Sequence, residues 1–300
     1  MASGDLIPAE LRARLGQFRL AARRGVGGQG FGTHHSRSRG AGMEFAQYRA
    51  YEPGDALRQI DWKLYARSDK FFVREAERDS PLTVWAVIDA TASMAQGDGA
   101  RTGWSRLDVA RALAACVIEL ALRQGDRFGL LMVGGAGVQM VTAGGGPRHR
   151  DRCMLSLHAL RAQGQWPEQL QLRQVWERIG AGEMAVVFSD GFDEAAVSLL
   201  CRLASARRDV SLVQILTCEE RDFPFRNGLR FVDPETGDQL LAGPDARGDF
   251  LARFAAARDA LRAQLAGCGV RHAEFFLDQP LEAPLRRLFP ARAGAGVEPS

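Results

Sequence analysis

From Pro81 onward, short apolar runs alternate with longer stretches whose apolar positions recur at helical spacing. Thr83-Val84-Trp85-Ala86-Val87-Ile88 is continuous rather than alternating, which predicts a strand buried on both faces. Leu107, Ala110, Leu113, Ala114, Val117, Ile118 and Ala121 predict a helix over 104–124. Strands over 128–133 and 138–142 flank a Gly134-Gly135 turn, and helices over 150–162 and 168–179 follow. Met184 to Phe188 predicts a second buried strand ending in Ser189-Asp190-Gly191, then a helix over 194–207 and a strand over 210–216. The stretch 229–241 reads as a hairpin around Asp233-Pro234-Glu235-Thr236-Gly237. A helix over 247–266, a strand over 270–277 and a short helix over 285–289 complete the pattern. Strands alternating with helices predict a doubly wound α/β domain with a mostly parallel sheet over 81–290.

The first eighty residues read differently. A loose apolar stripe through Leu11, Leu15, Phe18 and Leu20 predicts a helix over 8–24. Residues 25–32 are glycine-rich, and 37–79 mix charges and aromatics around a Pro53-Gly54-Asp55 turn, which predicts an irregular folded strap. The expected organisation is a unit over 1–80, the α/β domain over 81–290 and a frayed tail over 291–300. The glycines do not make a phosphate loop, because no Lys-Ser/Thr follows and a helix rather than a strand precedes them.

Composition narrows the function classes modestly. The chain has 300 residues, 46% hydrophobic and 25% charged, with a formal net charge of +3. That charge does not by itself point to nucleic acid. No apolar stretch approaches the roughly 20 residues of a membrane span, and Met1 to Glu10 lacks a signal-peptide pattern. Cys116, Cys153, Cys201, Cys218 and Cys268 are far apart and odd in number, so neither a disulfide framework nor a zinc site is expected, and a reducing cytoplasm is the simplest compartment.

The candidate chemistry lies where the buried strands end. Asp89-Ala90-Thr91-Ala92-Ser93 places one carboxylate and two hydroxyls at alternate positions, and Asp190 ends the other central strand. Open α/β sheets bind ligands outside the carboxyl ends of their strands. Hard oxygen donors so placed can grip Mg²⁺ or Mn²⁺, and two close carboxylates repel unless a cation lies between them. The competing reading makes Thr91 and Ser93 helix caps and Asp190 a turn residue.

This pair of motifs resembles the metal-ion-dependent adhesion site of von Willebrand factor A domains. The resemblance implies that Thr91 and Ser93 bind the ion directly, that Asp89 acts through water and that Asp190 completes the shell. The family's isolated Thr usually follows a Gly-Gly pair, whereas here Gly145-Gly146 is followed by Pro147-Arg148-His149-Arg150. Upstream, Gly32-x-His34-His35-Ser36, Gly40-x-Gly42-x-Glu44-Phe45, Arg49-x-Tyr51, Pro53-Gly54-Asp55, Arg58-x-Ile60-Asp61-Trp62 and Ala66-Arg67 stand in order, and Gly125-Asp126-Arg127-Phe128-Gly129-Leu130 extends the string. That string closely resembles the bacterial family called domain of unknown function 58. The resemblance implies a non-enzymatic adaptor that binds a partner carboxylate, with a MoxR-type AAA+ ATPase as the partner. A metal-dependent hydrolase acting on phosphate esters is the alternative.

Overall fold

The computed structural model describes residues 5–22, 45–51, 60–76, 81–225, 230–241, 243 and 246–289. The glycine-rich stretch 25–32, His34, His35, the Pro53-Gly54-Asp55 turn and the tail 291–300 lie outside the described residues. The chain divides into two units, Met1–Val26 with Leu82–Ser300, and Gly27–Pro81.

In the larger unit, helix α1 (Ala9–Arg14) is shorter than its apolar stripe predicts. A single 3-10 turn, Leu15–Gln17, follows, and the chain is extended by Phe18. Extension lets the Leu20 backbone exchange two hydrogen bonds with the Gln124 side chain, at 2.8 and 2.9 Å. Ile7, Leu11, Leu15, Phe18 and Leu20 thereby join the main core. The N-terminal helix thus belongs with the sheet, not with the segment that follows it.

The described residues of the Gly27–Pro81 unit are more regular than their composition suggests. Strand β1 (Phe45–Ala50) pairs antiparallel with β2 (Phe72–Ala76), and helix α2 (Trp62–Ser68) lies between them in sequence. Asp61, buried, caps α2 by accepting from the Lys63 and Leu64 amides at 2.9 and 3.0 Å. The aromatics pack on one another, with Tyr65 and Phe71 stacked at 4.4 Å.

The central sheet begins with β3 (Thr83–Asp89), and α3 (Arg106–Gln124) returns the chain to β4 (Arg127–Gly134). Gly125 ends α3 in the left-handed region at φ 75°, where glycine carries no Cβ penalty. A Cβ on Gly129 would meet the Trp85 ring at 2.5 Å, so this glycine makes room for the neighbouring strand's indole. Next come β5 (Gly137–Gly144), α4 (Pro147–Ala159), α5 (Gln169–Arg178), β6 (Met184–Ser189), α6 (Glu194–Ser205) and β7 (Asp209–Leu216). A short α7 (Cys218–Asp222), a hairpin of β8 (Arg230–Val232) and β9 (Gln239–Leu241), α8 (Ala246–Gly267), β10 (Arg271–Phe276) and α9 (Ala283–Leu288) complete the unit.

The six strands run in the order β10-β7-β6-β3-β4-β5, all parallel except β5. Successive residues of a strand face opposite sides. Val84, Ala86 and Ile88 therefore enter one core with α1, α3 and α9, while Trp85 and Val87 enter the other with α5 and α6. The result is the doubly wound α/β architecture expected of the pattern.

Two expectations are corrected here. Cys201 and Cys268 form a disulfide between α6 and the turn after α8, with Cα atoms 5.2 Å apart. Their separation of 67 residues hid the pairing, and the cysteine-based argument for a reducing compartment loses its footing. Gly145-Gly146 lies at the wrong rim to serve the site. Because β5 is antiparallel, Gly144 pairs with Phe128, level with Val84 rather than Asp89. Among the described residues no helix is long and apolar enough to cross a membrane.

Candidate functional site

β3 and β6 are direct neighbours, paired in register from Val84 with Met184 to Ile88 with Phe188. The chain leaves β3 toward β4 and later returns to the other side of β3, so the sheet's topological switch falls between these two strands. Asp89 ends β3 and Asp190 follows β6, and both carboxylates arrive at the same rim. Asp89, Thr91, Ser93 and Asp190 all line one cleft there, with a volume of about 720 Å³. The four residues singled out in the sequence are together.

Asp89 is buried and held by neutral donors. Its Oδ1 accepts from the Thr91 amide at 3.0 Å and the Thr91 hydroxyl at 2.7 Å, and its Oδ2 accepts from the Ser189 hydroxyl at 2.6 Å. Burial, and then the negative charge of Asp190, push its carboxyl up to about 7 despite these bonds. Thr91 and Ser93 bring their hydroxyl oxygens to 3.0 Å of each other. Ala92–Ala95 form one 3-10 turn that Thr91 precedes, without a side-chain bond capping it. The capping role that the sequence left open for Thr91 is therefore absent. The helix after Asp190 is capped instead by Asp193, which accepts from the Ala196 amide at 2.9 Å.

Asp190 has a different partner. Arg106, the first residue of α3 and only 1% exposed, donates from Nη1 to Asp190 Oδ2 at 3.0 Å. Its Nη2 donates to Glu220 Oε1, and Nη1 also approaches the Ser93 carbonyl at 3.4 Å. Glu220 is fixed in turn by a capping box with Thr217 at the start of α7. Gln214 on β7 donates to the Asp190 carbonyl at 2.9 Å and meets His272 Nε2 at 3.1 Å. Sequence reasoning missed Arg106, Glu220 and Gln214. The signal available was Ser105-x-x-Asp108, a capping box that marks the start of α3 and so puts Arg106 in its first turn at the rim.

The loop over 160–167 is tied to the chain after β3. Gln163 donates its amide to the Ala90 carbonyl at 2.9 Å, and the Ala92 amide donates to the Gly164 carbonyl at 2.8 Å. The loop carries Gln163, Gln165 and Trp166 and no threonine. Among the described residues no group of three or more His, Cys, Asp or Glu side chains is arranged to hold a metal, so any ion at this rim depends on the hydroxyls.

Comparison with known proteins gives a family and little more. An uncharacterized protein of Mycobacterium tuberculosis (strain ATCC 25618 / H37Rv), Rv1480, is 28% identical over 280 residues, covering 90% of this chain and 86% of its own. Mb1516, an uncharacterized protein of Mycobacterium bovis, matches to the same extent. Among solved structures, BatB from Bacteroides thetaiotaomicron is 13% identical, over 63% of this chain and 98% of its own, with a TM-score of 0.38. The SpRpn10 VWA domain is also 13% identical, over 69% of this chain and 94% of its own, with a TM-score of 0.38. The model of the protein family of unknown function DUF58 matches residues 47–263, most of the chain, and the chain belongs to that family.

Proposed function

We propose that the chain is a protein-interaction module whose rim cleft takes a carboxylate of a partner protein through a Mg²⁺ or Mn²⁺ ion. The observation that carries this reading is an electrostatic imbalance. Asp89, Asp190 and Glu220 share the rim with one guanidinium, Arg106. Asp193, Asp233, Glu235 and Asp238 line the same cleft, so its carboxylates outnumber its one guanidinium and a divalent cation offsets part of the excess. The donor types agree with a hard ion, since carboxylate and hydroxyl oxygens are what Mg²⁺ and Mn²⁺ prefer. Thr91 donates its proton to Asp89, so Ser93 donates to Thr91, leaving one lone pair of Thr91 and those of Ser93 for a cation.

In this reading Thr91 and Ser93 would hold the ion, with Asp89 and Asp190 behind them. The bound ion supplies an electrophilic point to which a carboxylate can attach. Arg106 keeps Asp190 in place, and Ser189 orients Asp89. The partner suggested by the family resemblance is a MoxR-type AAA+ ATPase, and catalysis plays no part. The alternative, hydrolysis of phosphate esters, has Asp89 as its base, yet both of its oxygens already accept protein hydrogen bonds.

Calorimetric titration of Mg²⁺ and Mn²⁺ into the full chain tests the proposal. Saturable heat in the wild type that disappears in Asp89→Asn is expected, together with chelator-sensitive retention of the ATPase. Absence of heat alongside retention that ignores chelator would sink it. Phosphoesterase activity abolished by Asp89→Ala would favour the alternative.

A further inference from the structure

Eight large apolar side chains stay exposed among the described residues, and Phe192, Val232, Leu240 and Leu241 make up half of them. Phe192, Val232 and Leu240 line the same cleft as Asp89 and Asp190. The hairpin β8–β9 forms the outer wall of that cleft. Phe231 anchors it, with its ring 5.7 Å from Phe223 and 5.2 Å from Phe225, and Phe223 stands 4.8 Å from Phe250 on α8. Leu240, directly across from Phe231 in the ladder, is nonetheless 72% exposed. An anchored strand that keeps such a side chain in water, beside a polar floor, has the form of a contact surface.

The tip of the hairpin adds charge. Asp233 Oδ1 accepts from the Glu235 and Thr236 amides, so the turn is shaped by its own side chain. The Glu235 carbonyl accepts from Gln165 at 3.0 Å, which ties the tip to the loop over 160–167. Asp233, Glu235 and Asp238 line the cleft with their charges uncommitted to any ion pair among the described residues. A uniformly acidic segment entering here is repelled by the tip, while a basic side chain is attracted to it.

We propose that the hairpin selects the partner: a protein segment in which an acidic side chain is flanked by apolar and basic ones. The acid reaches the floor, the apolar side chain covers Leu240 and Phe192, and the basic one meets the turn. This inference rests on the reading of the floor as a carboxylate site. The apolar contact supplies affinity, and the exposed charges supply discrimination and encounter rate.

Three fluorescein-labelled peptides test it on the full chain by anisotropy: Lys-Leu-Asp-Leu-Lys, Lys-Ser-Asp-Ser-Lys and Glu-Leu-Asp-Leu-Glu, each with Mg²⁺ and with chelator. The first is expected to bind about tenfold tighter than either other, the scale of one partly buried leucine or a few screened charges. Leu240→Ser with Val232→Ser should erase the preference for leucine over serine. Asp233→Asn with Glu235→Gln and Asp238→Asn should erase the preference for lysine over glutamate. Asn at 233 retains the oxygen that shapes the turn, and unchanged melting temperatures check that the variants fold. Equal binding of all three peptides, binding of none, or preferences that survive the substitutions would overturn the proposal. Preferences that persist in chelator support the hairpin and defeat the ion. Magnesium-dependent binding without preference does the reverse.

Discussion

The ends of β3 and β6 each bring an aspartate to the rim cleft, from neighbouring strands. Asp89 is surrounded by hydroxyls and an amide, all neutral, while Asp190 faces a buried guanidinium. The contrast follows from what each loop sits beside. The β3 loop folds back on itself through Thr91, whereas the β6 loop lies against the first turn of α3, which delivers Arg106. One aspartate has its counter-ion supplied by the fold. The other has only neutral hydrogen-bond donors around it, and its carboxyl is raised.

The largest expected effect comes from removing the built-in cation. Arg106→Met leaves Asp190 and Glu220 without their partner, and breaking a buried pair typically costs about 3–5 kcal/mol. Urea denaturation should show that loss, with Mg²⁺ restoring part of it if an ion can take over the neutralisation. Stability unchanged in Arg106→Met would erase the contrast between the two loops.

Next is the pH dependence of Asp89. Its carboxyl is raised from 3.8 to about 7 in the fold. Between those values the folded protein keeps a proton that the unfolded chain has released, so stability falls as pH rises through that window. The favourable contribution is complete below the lower value and gone above the upper one. Asp89→Asn cannot titrate, so its unfolding midpoint should change less between pH values of about 4 and 7 than that of the metal-free wild type. Saturating Mg²⁺ should flatten the wild-type profile in the same way.

The smallest effects separate the two hydroxyls. Thr91→Ala removes a buried donor to Asp89 and should cost about 1–2 kcal/mol. Ser93 is half-buried and its hydroxyl bonds to Thr91, so Ser93→Ala should fall within about 0.5 kcal/mol of wild type. Both variants should lose the calorimetric response to Mg²⁺. A full response in Ser93→Ala would remove that hydroxyl from the proposed ion shell.

Much of the α/β body was legible because burial on two faces leaves a plain mark. The continuous runs at 83–88 and 184–188 are the sheet's two central strands, and Asp89 and Asp190 were recognisable as rim residues because each ends such a run. The segment containing α2 was less legible. Among the described residues, its short strands and helix α2 are held by the Asp61 cap and by ring contacts, which leave little periodicity to read.

Apolar period, chain punctuation and the position of polar residues at strand ends are local properties, and they alone determined most of the element order of the α/β body, the two-faced sheet and the meeting of Asp89, Thr91, Ser93 and Asp190. Strand direction, helix placement and contacts between distant residues are not local, and tertiary structure decided what depended on them. It carried Gly145-Gly146 to the far rim, buried one arginine among the many in the chain against Asp190, joined Cys201 to Cys268 and set an apolar hairpin over the cleft. The physical reason is that an arginine, a cysteine or a glycine has the same local propensity wherever it stands; its role depends on which neighbour the fold brings to it.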